Sequence, residues 1–263
     1  MDAIPSSTWF TVPPHWGWLI VIYFFLGGLS GGCYLFAALI DLLGRREDRP
    51  LARTGYYVAF LCLVVSGVLL IIDLARPSRF WHLLLEDHTW QPMFKYWSPM
   101  SIGSWMLLVF GIFAFLSVLG ALSEAGRLAW PAARRLRAPG TLGAAIAIVG
   151  SLLGLYVAGY TGVLIAVTNR PIWADTPLLG MLLVVSGASI SAALLILLAP
   201  RVRSTALGLT ALERTDAWLV ALEFLVLVAV VISLGAAARA WLSGWGVLLL
   251  LGVVGLGMAL PLA

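Results

Sequence analysis

Residues 56–77 read YYVAFLCLVVSGVLLIIDLARP, and this stretch decides the fold class. The run from Tyr56 to Ile72 carries no charged side chain, and at about 1.5 Å per residue it makes a helix of roughly 25 Å. That length is close to the thickness of the bilayer hydrocarbon core. At its edge, Asp73 and Arg76 stand about one helical turn apart, before Pro77. Such an ionisable pair is costly there, so the stretch predicts a membrane helix that ends in a functional group or a proton route.

The composition of the whole chain points to the same class. Hydrophobic residues make up 62% of 263 positions and charged residues only 11%, whereas soluble domains average about 25% charged residues. We therefore predict an all-α, polytopic transmembrane helix bundle. The pI near 9.4 comes almost entirely from arginine. In a membrane protein such an excess reports topology, and we expect no nucleic-acid binding.

Apolar runs long enough to cross a bilayer, about 20 residues each, recur along the chain. Six of them lie at roughly 15–43, 54–75, 100–123, 141–168, 177–199 and 211–235. A seventh begins near Trp241 and reaches Ala263. The connections are too short for a separate domain, so we expect one integral membrane domain over 1–263. Because the last run reaches Ala263 without a polar cap, we expect at least one further helix beyond it, which makes eight.

The distribution of basic residues predicts the orientation. Eleven of the 16 basic residues lie in the connections between runs one and two, three and four, and five and six. Cytoplasmic loops of membrane proteins carry the excess of lysine and arginine. We therefore expect the N-terminus outside the cytoplasm and a multi-pass protein of the inner, cytoplasmic membrane.

This orientation allows depths to be compared. Tyr23 in the first helix and Tyr160 in the fourth both lie about 12 Å from the outer surface, at 1.5 Å per residue. The same third of the membrane holds polar groups from the ends of helices two and four: Asp73, Arg76, Asn169 and Arg170. This layer suits a lipid-soluble ligand with polar head groups. The alternative is an ordinary interfacial layer of tyrosine and serine.

Two acids fall inside the sixth apolar run. Glu223 lies near the bilayer centre, and Asp216 lies seven residues earlier on the same helix face. A mid-membrane glutamate is costly unless it is paired or protonated. The pair is either a proton path or a neutral acid bonded to a neighbouring backbone, and the sequence leaves both open.

The sequence does not favour a resident haem or metal. A transmembrane b-type haem needs two histidines that face each other inside helices, and His15, His82 and His88 all lie at or beyond helix ends. The two cysteines are too few for a cluster. If electrons pass through this chain, we expect them to come from a partner and to leave on a diffusible carrier.

Four motifs resemble those of one family. They are Phe24–Gly32 (FFLGGLSGG), Asp73–Trp81 (DLARPSRFW), Ser98–Trp105 (SPMSIGSW), and Tyr160-Thr161-Gly162 followed by Asn169-Arg170-Pro171. In this order, over about 20–175, they are similar to the NrfD/PsrC family, the membrane subunits of polysulfide reductase and related respiratory complexes.

The resemblance implies a haem-free subunit that binds a quinone, either menaquinone or ubiquinone. It also implies a ferredoxin-like iron–sulfur partner and a molybdopterin or multihaem catalytic subunit. Tyr160 matches a family tyrosine that hydrogen-bonds a quinone carbonyl, and Asp73 matches an acid that moves protons. Tyr23 stands where the polysulfide reductase relative has histidine, which is a departure from the family pattern. The resemblance makes Arg76, Asn169 and Arg170 part of the quinone site. The two arginines are also candidate docking charges, and a structural salt bridge on the outer face is the alternative for them.

A membrane transporter or proton-channel subunit without a redox role is the alternative. The polar layer and Glu223 would serve it equally well. Helices broken at mid-membrane would favour a transporter, and the sequence marks none clearly before Pro261. The two functions differ in what should co-purify with the chain, because only the redox subunit requires an iron–sulfur partner and quinone.

Overall fold

The computed structural model describes residues 16–168, 170–202 and 205–259, and these form a helical bundle. Six long helices follow one another: α1 Trp18–Leu43, α2 Arg49–Asp73, α3 Pro99–Glu124, α4 Thr141–Ala166, α5 Leu179–Leu198 and α6 Ala206–Ser233. A seventh, α7, covers Gly244–Leu250 and continues as a π-helical segment over Leu251–Ala259. Short 3-10 turns join several of them. Within the described ranges, the β-type backbone pairing consists of one isolated antiparallel bridge between Leu85 and Pro92.

The six long helices are long and apolar enough to cross a membrane by length and composition. This confirms the predicted all-α polytopic class. The seventh apolar run is also helical, but its apolar part, Gly246–Met258, is shorter than the other six.

Helix α1 packs against α2, α4 and α5 and forms the centre of the bundle. Its glycines allow this position because they remove side chains from the contact. A Cβ atom at Gly31 would lie 2.3 Å from the carbonyl oxygen of Gly154 in α4, and one at Gly28 would lie 3.4 Å from Cα of Gly187 in α5. The glycine run of α1 therefore lets the helix pack closely against α4 and α5.

The close approach at Gly31 gives a stability prediction. Gly31→Ala should lower the free energy of unfolding by about 1–3 kcal/mol, the usual cost of overpacking, because the methyl group must displace the backbone of α4. Gly67→Ala in α2 is the control, since a Cβ there meets nothing within 4 Å. Thermal unfolding of both variants in the same detergent measures the difference. Equal melting temperatures would contradict the packing argument.

Helix α2 ends earlier than the sequence suggested. Its last residue is Asp73, and Leu74 is already extended, with φ −68° and ψ 137°. The expectation that Asp73 and Arg76 lie one helical turn apart is therefore wrong. Arg76 precedes Pro77, and a residue before proline is pushed out of the helical region; its φ is −135°. Both side chains are exposed, and no ion pair between them is found among the described residues.

The end of the bundle that carries the α1–α2, α3–α4 and α5–α6 connections is called the arginine-rich end below. Asp48 is buried there, 4% exposed. It accepts hydrogen bonds from the backbone N–H of Thr205 (2.6 Å) and from its hydroxyl (2.8 Å). The hydroxyl of Thr205 in turn accepts from Gly208 N–H and caps α6. The α1–α2 turn is thus tied to the start of α6.

Candidate functional site

Two tyrosines from different helices meet inside the bundle. Tyr23 of α1 is 2% exposed and Tyr160 of α4 is 8% exposed, and the two phenols are close enough to interact electrostatically. The Tyr160 ring lies against α3 at Gly103, where a Cβ atom would come within 2.3 Å of its hydroxyl oxygen. A glycine at this point of α3 therefore makes room for the Tyr160 phenol. The structure brings together the two residues that the depth comparison placed at one level.

The Tyr160 hydroxyl donates no hydrogen bond to another described residue. A tyrosine hydroxyl usually finds a partner when its residue is buried, so this group is available to a ligand. Its ring is held in place by other contacts: it stacks on Tyr156, with ring centroids 6.2 Å apart and planes inclined by 15°.

An apolar cavity of about 410 Å³, open to the outside of the bundle, lies between α4 and α5, and Tyr160 is one of its lining residues. Its lining residues are Leu155, Tyr156, Gly159, Tyr160, Val163, Gly180, Met181 and Val184. Volumes of this order are typical of small-molecule sites. The cavity is apolar except for its tyrosines, and it suits a lipid-soluble ligand. Tyr156 was not foreseen as part of the site, although it lies one turn before Tyr160 on the same helix.

The remaining polar residues of the outer layer do not join this pair directly. Asp73 and Arg76 are exposed beyond the end of α2. Arg170 is half-buried, with its guanidinium 5.4 Å from the centre of the Trp173 ring. No contact found among the described residues connects Asp73 or Arg76 to the tyrosines. Arg170 is connected to Tyr23 by ring contacts through Trp173, Trp16 and Phe24. Asn169 lies outside the described residues.

The two acids of α6 both face serines of α5. Ser189 donates a hydrogen bond to Asp216 at 3.1 Å, and Glu223 is within hydrogen-bonding reach of Ser186. Both acids are half-buried. They lie on one helix face, as the seven-residue spacing predicts, and the partner of Glu223 in the structure is a serine side chain.

A second group of polar residues lies at the arginine-rich end, and the sequence did not reveal it. It consists of Asp41, Arg49, Glu124 and Arg137, and is called the Asp41 cluster below. Nη2 of Arg137 lies 2.6 Å from Asp41 and 3.2 Å from Glu124, while Nη1 of Arg49 lies 3.2 Å from Glu124. The side chains of Asp41 and Arg137 are 1% and 3% exposed. Two carboxylates and two guanidiniums thus form a neutral, largely buried network.

Two glycines accommodate the buried arginine of this cluster. A Cβ atom at Gly143 would lie 2.1 Å from the Arg137 carbonyl carbon, and one at Gly120 would lie 2.9 Å from its Cγ. The guanidinium also lies over the Tyr56 ring, 5.1 Å from its centre. The connection between α3 and α4 is therefore folded into the bundle.

Among the described residues, no group of three histidine, cysteine, aspartate or glutamate side chains could hold a metal ion. Cys33 and Cys62 are both buried and unpaired by any disulfide.

Comparison with known proteins identifies the relatives of this protein. The family model "Polysulphide reductase, NrfD" matches residues 11–263. The protein is 29% identical to one of the chains of polysulfide reductase from Wolinella succinogenes, over 94% of its own length and 81% of that relative. It is also 29% identical to protein NrfD of Escherichia coli, over 94% of its own length and 83% of that relative. A shorter match, 30% identical over 39% of this protein and 22% of the relative, is to a subunit of selenate reductase from Mesobacillus selenatarsenatis.

Proposed function

Because the chain belongs to the NrfD polysulphide reductase family, we propose that it is the haem-free membrane anchor subunit of a respiratory oxidoreductase complex. In this role it exchanges electrons between an iron–sulfur partner subunit and the quinone pool of the inner membrane. The names of the relatives support the first part, since they are subunits of polysulfide and selenate reductases. A molybdopterin or multihaem catalytic subunit completes the proposed complex.

Tyr160 is the observation that carries the proposal of a quinone site. The residue is 8% exposed, its hydroxyl donates to no described residue, and its ring lines the apolar cavity between α4 and α5. A quinone combines an apolar body with two carbonyl acceptors, so an apolar cavity beside one free donor fits this class of ligand. Tyr23 supplies a second phenol beside the first.

Each residue then has a defined role. A bound quinone supplies two-electron redox chemistry that is accompanied by two protons. Tyr160 donates a hydrogen bond to one carbonyl and fixes the orientation of the ring, and Tyr23 and Asn169 complete the polar surroundings. Asp73, at the exposed end of α2, exchanges protons with the outer aqueous phase. Arg76 and Arg170 supply positive charge on the face where the partner docks.

Asp216 and Glu223 are proposed to handle protons on the other side of the bundle. They are half-buried acids within an apolar helix, and each has a serine partner on α5. Ionisable groups in such positions commonly form proton relays. A path along the α5–α6 contact would make turnover electrogenic.

The decisive experiment purifies the chain with its partners and measures quinone-linked turnover. Asp73→Asn should lower the rate about tenfold, which is less than the 10²–10⁴ of a well-positioned buried acid, because water can partly replace an exposed carboxylate. Asp87→Asn, in the same outer connection, is the control and should retain the wild-type rate. Unchanged turnover in Asp73→Asn would remove that residue from the mechanism. A chain that purifies without an iron–sulfur partner or quinone would instead favour a transporter or proton-channel subunit.

A further inference from the structure

The Asp41 cluster is largely buried, with the side chains of Asp41 and Arg137 only 1% and 3% exposed. It joins α1, α2, α3 and the α3–α4 connection. Yet several of its polar atoms have no hydrogen-bond partner among the described residues: Oδ2 of Asp41, and Nε and Nη1 of Arg137. Buried polar groups are normally satisfied, and charged ones most of all. Donors and acceptors left open within one neutral cluster point to a site that binds water or exchanges protons.

The two acids of the cluster differ in their exposure to solvent. The Glu124 side chain is 21% exposed, whereas that of Asp41 is 1% exposed. Both carboxylates approach the same nitrogen of Arg137, at 3.2 and 2.6 Å. A proton that reaches Glu124 from the aqueous phase therefore has only a short distance to cross before it reaches Asp41.

Polar groups continue from Asp41 toward the middle of the bundle. The Tyr56 hydroxyl lies beside the Asp41 carboxylate, and the Tyr56 ring packs edge-on against Tyr34 at 5.0 Å between centroids. The Tyr34 hydroxyl pairs with Ser117 at 2.7 Å and donates to the carbonyl of Ile146 at 3.0 Å. Both tyrosines are at most 2% exposed, so their hydroxyls lie within the apolar core.

The same face of α1 leads on to the tyrosine pair. Asp41, Tyr34, Ser30 and Tyr23 are separated by seven, four and seven residues, spacings that keep side chains on one helix face. Ser30 donates to the carbonyl of Ala59 in α2 at 2.7 Å.

Ser66 adds a polar group at the level of the tyrosines. Ser30 of α1 contacts Ala59 of the antiparallel helix α2. From this contact, Tyr23 lies seven residues toward the start of α1 and Ser66 lies seven residues toward the end of α2. Ser66 and Tyr23 therefore share one level of the bundle. The Ser66 hydroxyl is fully buried and has no partner among the described residues. The polar face of α1 thus spans from the arginine-rich end to the proposed quinone site.

We propose that Asp41 is a proton-exchange site at the arginine-rich, cytoplasmic end of the bundle, and that the hydroxyls along α1 connect it to Tyr23 and Tyr160. The inference rests on the proposed function and adds a second, more deeply buried entry beside the α6 acids. For each pair of electrons that the iron–sulfur partner delivers, the quinone takes up two protons: one comes from the outer phase through Asp73, and the other comes from the cytoplasmic side, carried by the Asp41 carboxylate in its acid form and then released. Quinol oxidation runs the same steps in reverse.

The charges around Asp41 suit this role. Two positive groups face Asp41, Arg137 from the α3–α4 connection and Arg49 from α2. The carboxylate of Glu124 from α3 and the phenol of Tyr56 from α2 also face it. The cluster is neutral when both carboxylates are ionised, and it carries one positive charge when Asp41 is protonated. Each guanidinium lies within 3.9 Å of both acids and is shared between them.

Infrared difference spectroscopy tests the site without quinone turnover. In the purified complex, a pH step should change a carboxylic acid C=O band, and Asp41→Asn should remove that band. Asp48→Asn is the matched control: Asp48 is buried at the same end but is held by Thr205, so its variant should keep the band. An unchanged band in Asp41→Asn overturns the proposal. If Asp41→Asn does not assemble, Tyr34→Phe replaces it, and it should shift the pH dependence of the band.

Charge movement tests the route. In proteoliposomes of oriented complex, the charge moved per electron should fall by at least half in Tyr56→Phe, because the hydroxyl next to Asp41 is lost. Tyr57→Phe removes a neighbouring hydroxyl that lies outside the chain of hydroxyls and should behave as wild type. Wild-type turnover without charge movement, or loss of charge only in Glu223→Gln, overturns this inference but leaves the quinone site standing. Absence of quinone-linked turnover in the wild-type complex would instead contradict the proposed function.

Discussion

Replacing Arg137 by methionine is expected to lower the free energy of unfolding by about 3–5 kcal/mol, the usual cost of removing one partner from a buried ion pair. The reason is that Asp41 and Glu124 would remain as two carboxylates around a single, half-buried Arg49, whose Nε lies 3.9 Å from Asp41. A whole domain is stable by only about 5–15 kcal/mol. The variant should therefore accumulate poorly and melt well below the wild type.

Thermal unfolding in detergent and the yield of membrane-inserted protein measure this effect. Arg135→Met is the control, because Arg135 is exposed on the same connection and should change stability little. Adding Asp41→Leu to Arg137→Met should recover part of the loss, since burying an apolar side chain costs less than burying an unpaired charge. If Arg137→Met melts with the wild type, the guanidinium does not stabilise the bundle and the cluster has been assigned too large a role.

The long helices could be predicted from the sequence because a bilayer imposes one requirement on every span. About 20 apolar residues must follow one another, and the runs at 100–123 and 141–168 fall within a few residues of α3 and α4. The ends of the helices are harder to predict. The second apolar run reaches residue 75, whereas α2 ends at Asp73. The backbone restriction before Pro77 changes the conformation there without changing the hydrophobicity of the sequence.

The pairing of Tyr23 with Tyr160 could be anticipated because the rise per residue of a helix is fixed, so depth can be counted once the orientation is assumed. The cavity beside them could not be anticipated. It depends on how α5 packs against Gly159 and on the side-chain position of Tyr156. The hydrophobic periodicity of a sequence carries no information about such a contact between helices.

The Asp41 cluster was missed for a different reason. Arg49 and Arg137 were counted only as charges that determine orientation, and residues 41 and 137 are 96 positions apart. One signal was present: Asp41 is an acid within an apolar run, three residues before Gly44. An ionisable residue inside a membrane span calls for a partner, and that criterion would have singled it out.

Tyr160→Phe is expected to reduce quinone-linked turnover of the assembled complex by roughly 5- to 150-fold. A buried acceptor that loses its donor costs about 1–3 kcal/mol, and each 1.4 kcal/mol is about tenfold. The fold should be unaffected, because the hydroxyl donates to no described residue. The phenylalanine ring would keep the stack on Tyr156 and the contact with Gly103.

Steady-state rates at several quinone concentrations, with thermal unfolding as a check on stability, separate this effect from its alternatives. Tyr156→Phe is the matched control, since it removes a hydroxyl from the neighbouring ring of the same stack and should leave the rate close to wild type. If Tyr156→Phe is the more damaging variant, the phenol of Tyr156 is the donor to the quinone, and Tyr160 only supports its ring. If neither variant changes the rate, the hydrogen bond that orients the quinone comes from elsewhere, and the cavity between α4 and α5 is not the site of the reaction.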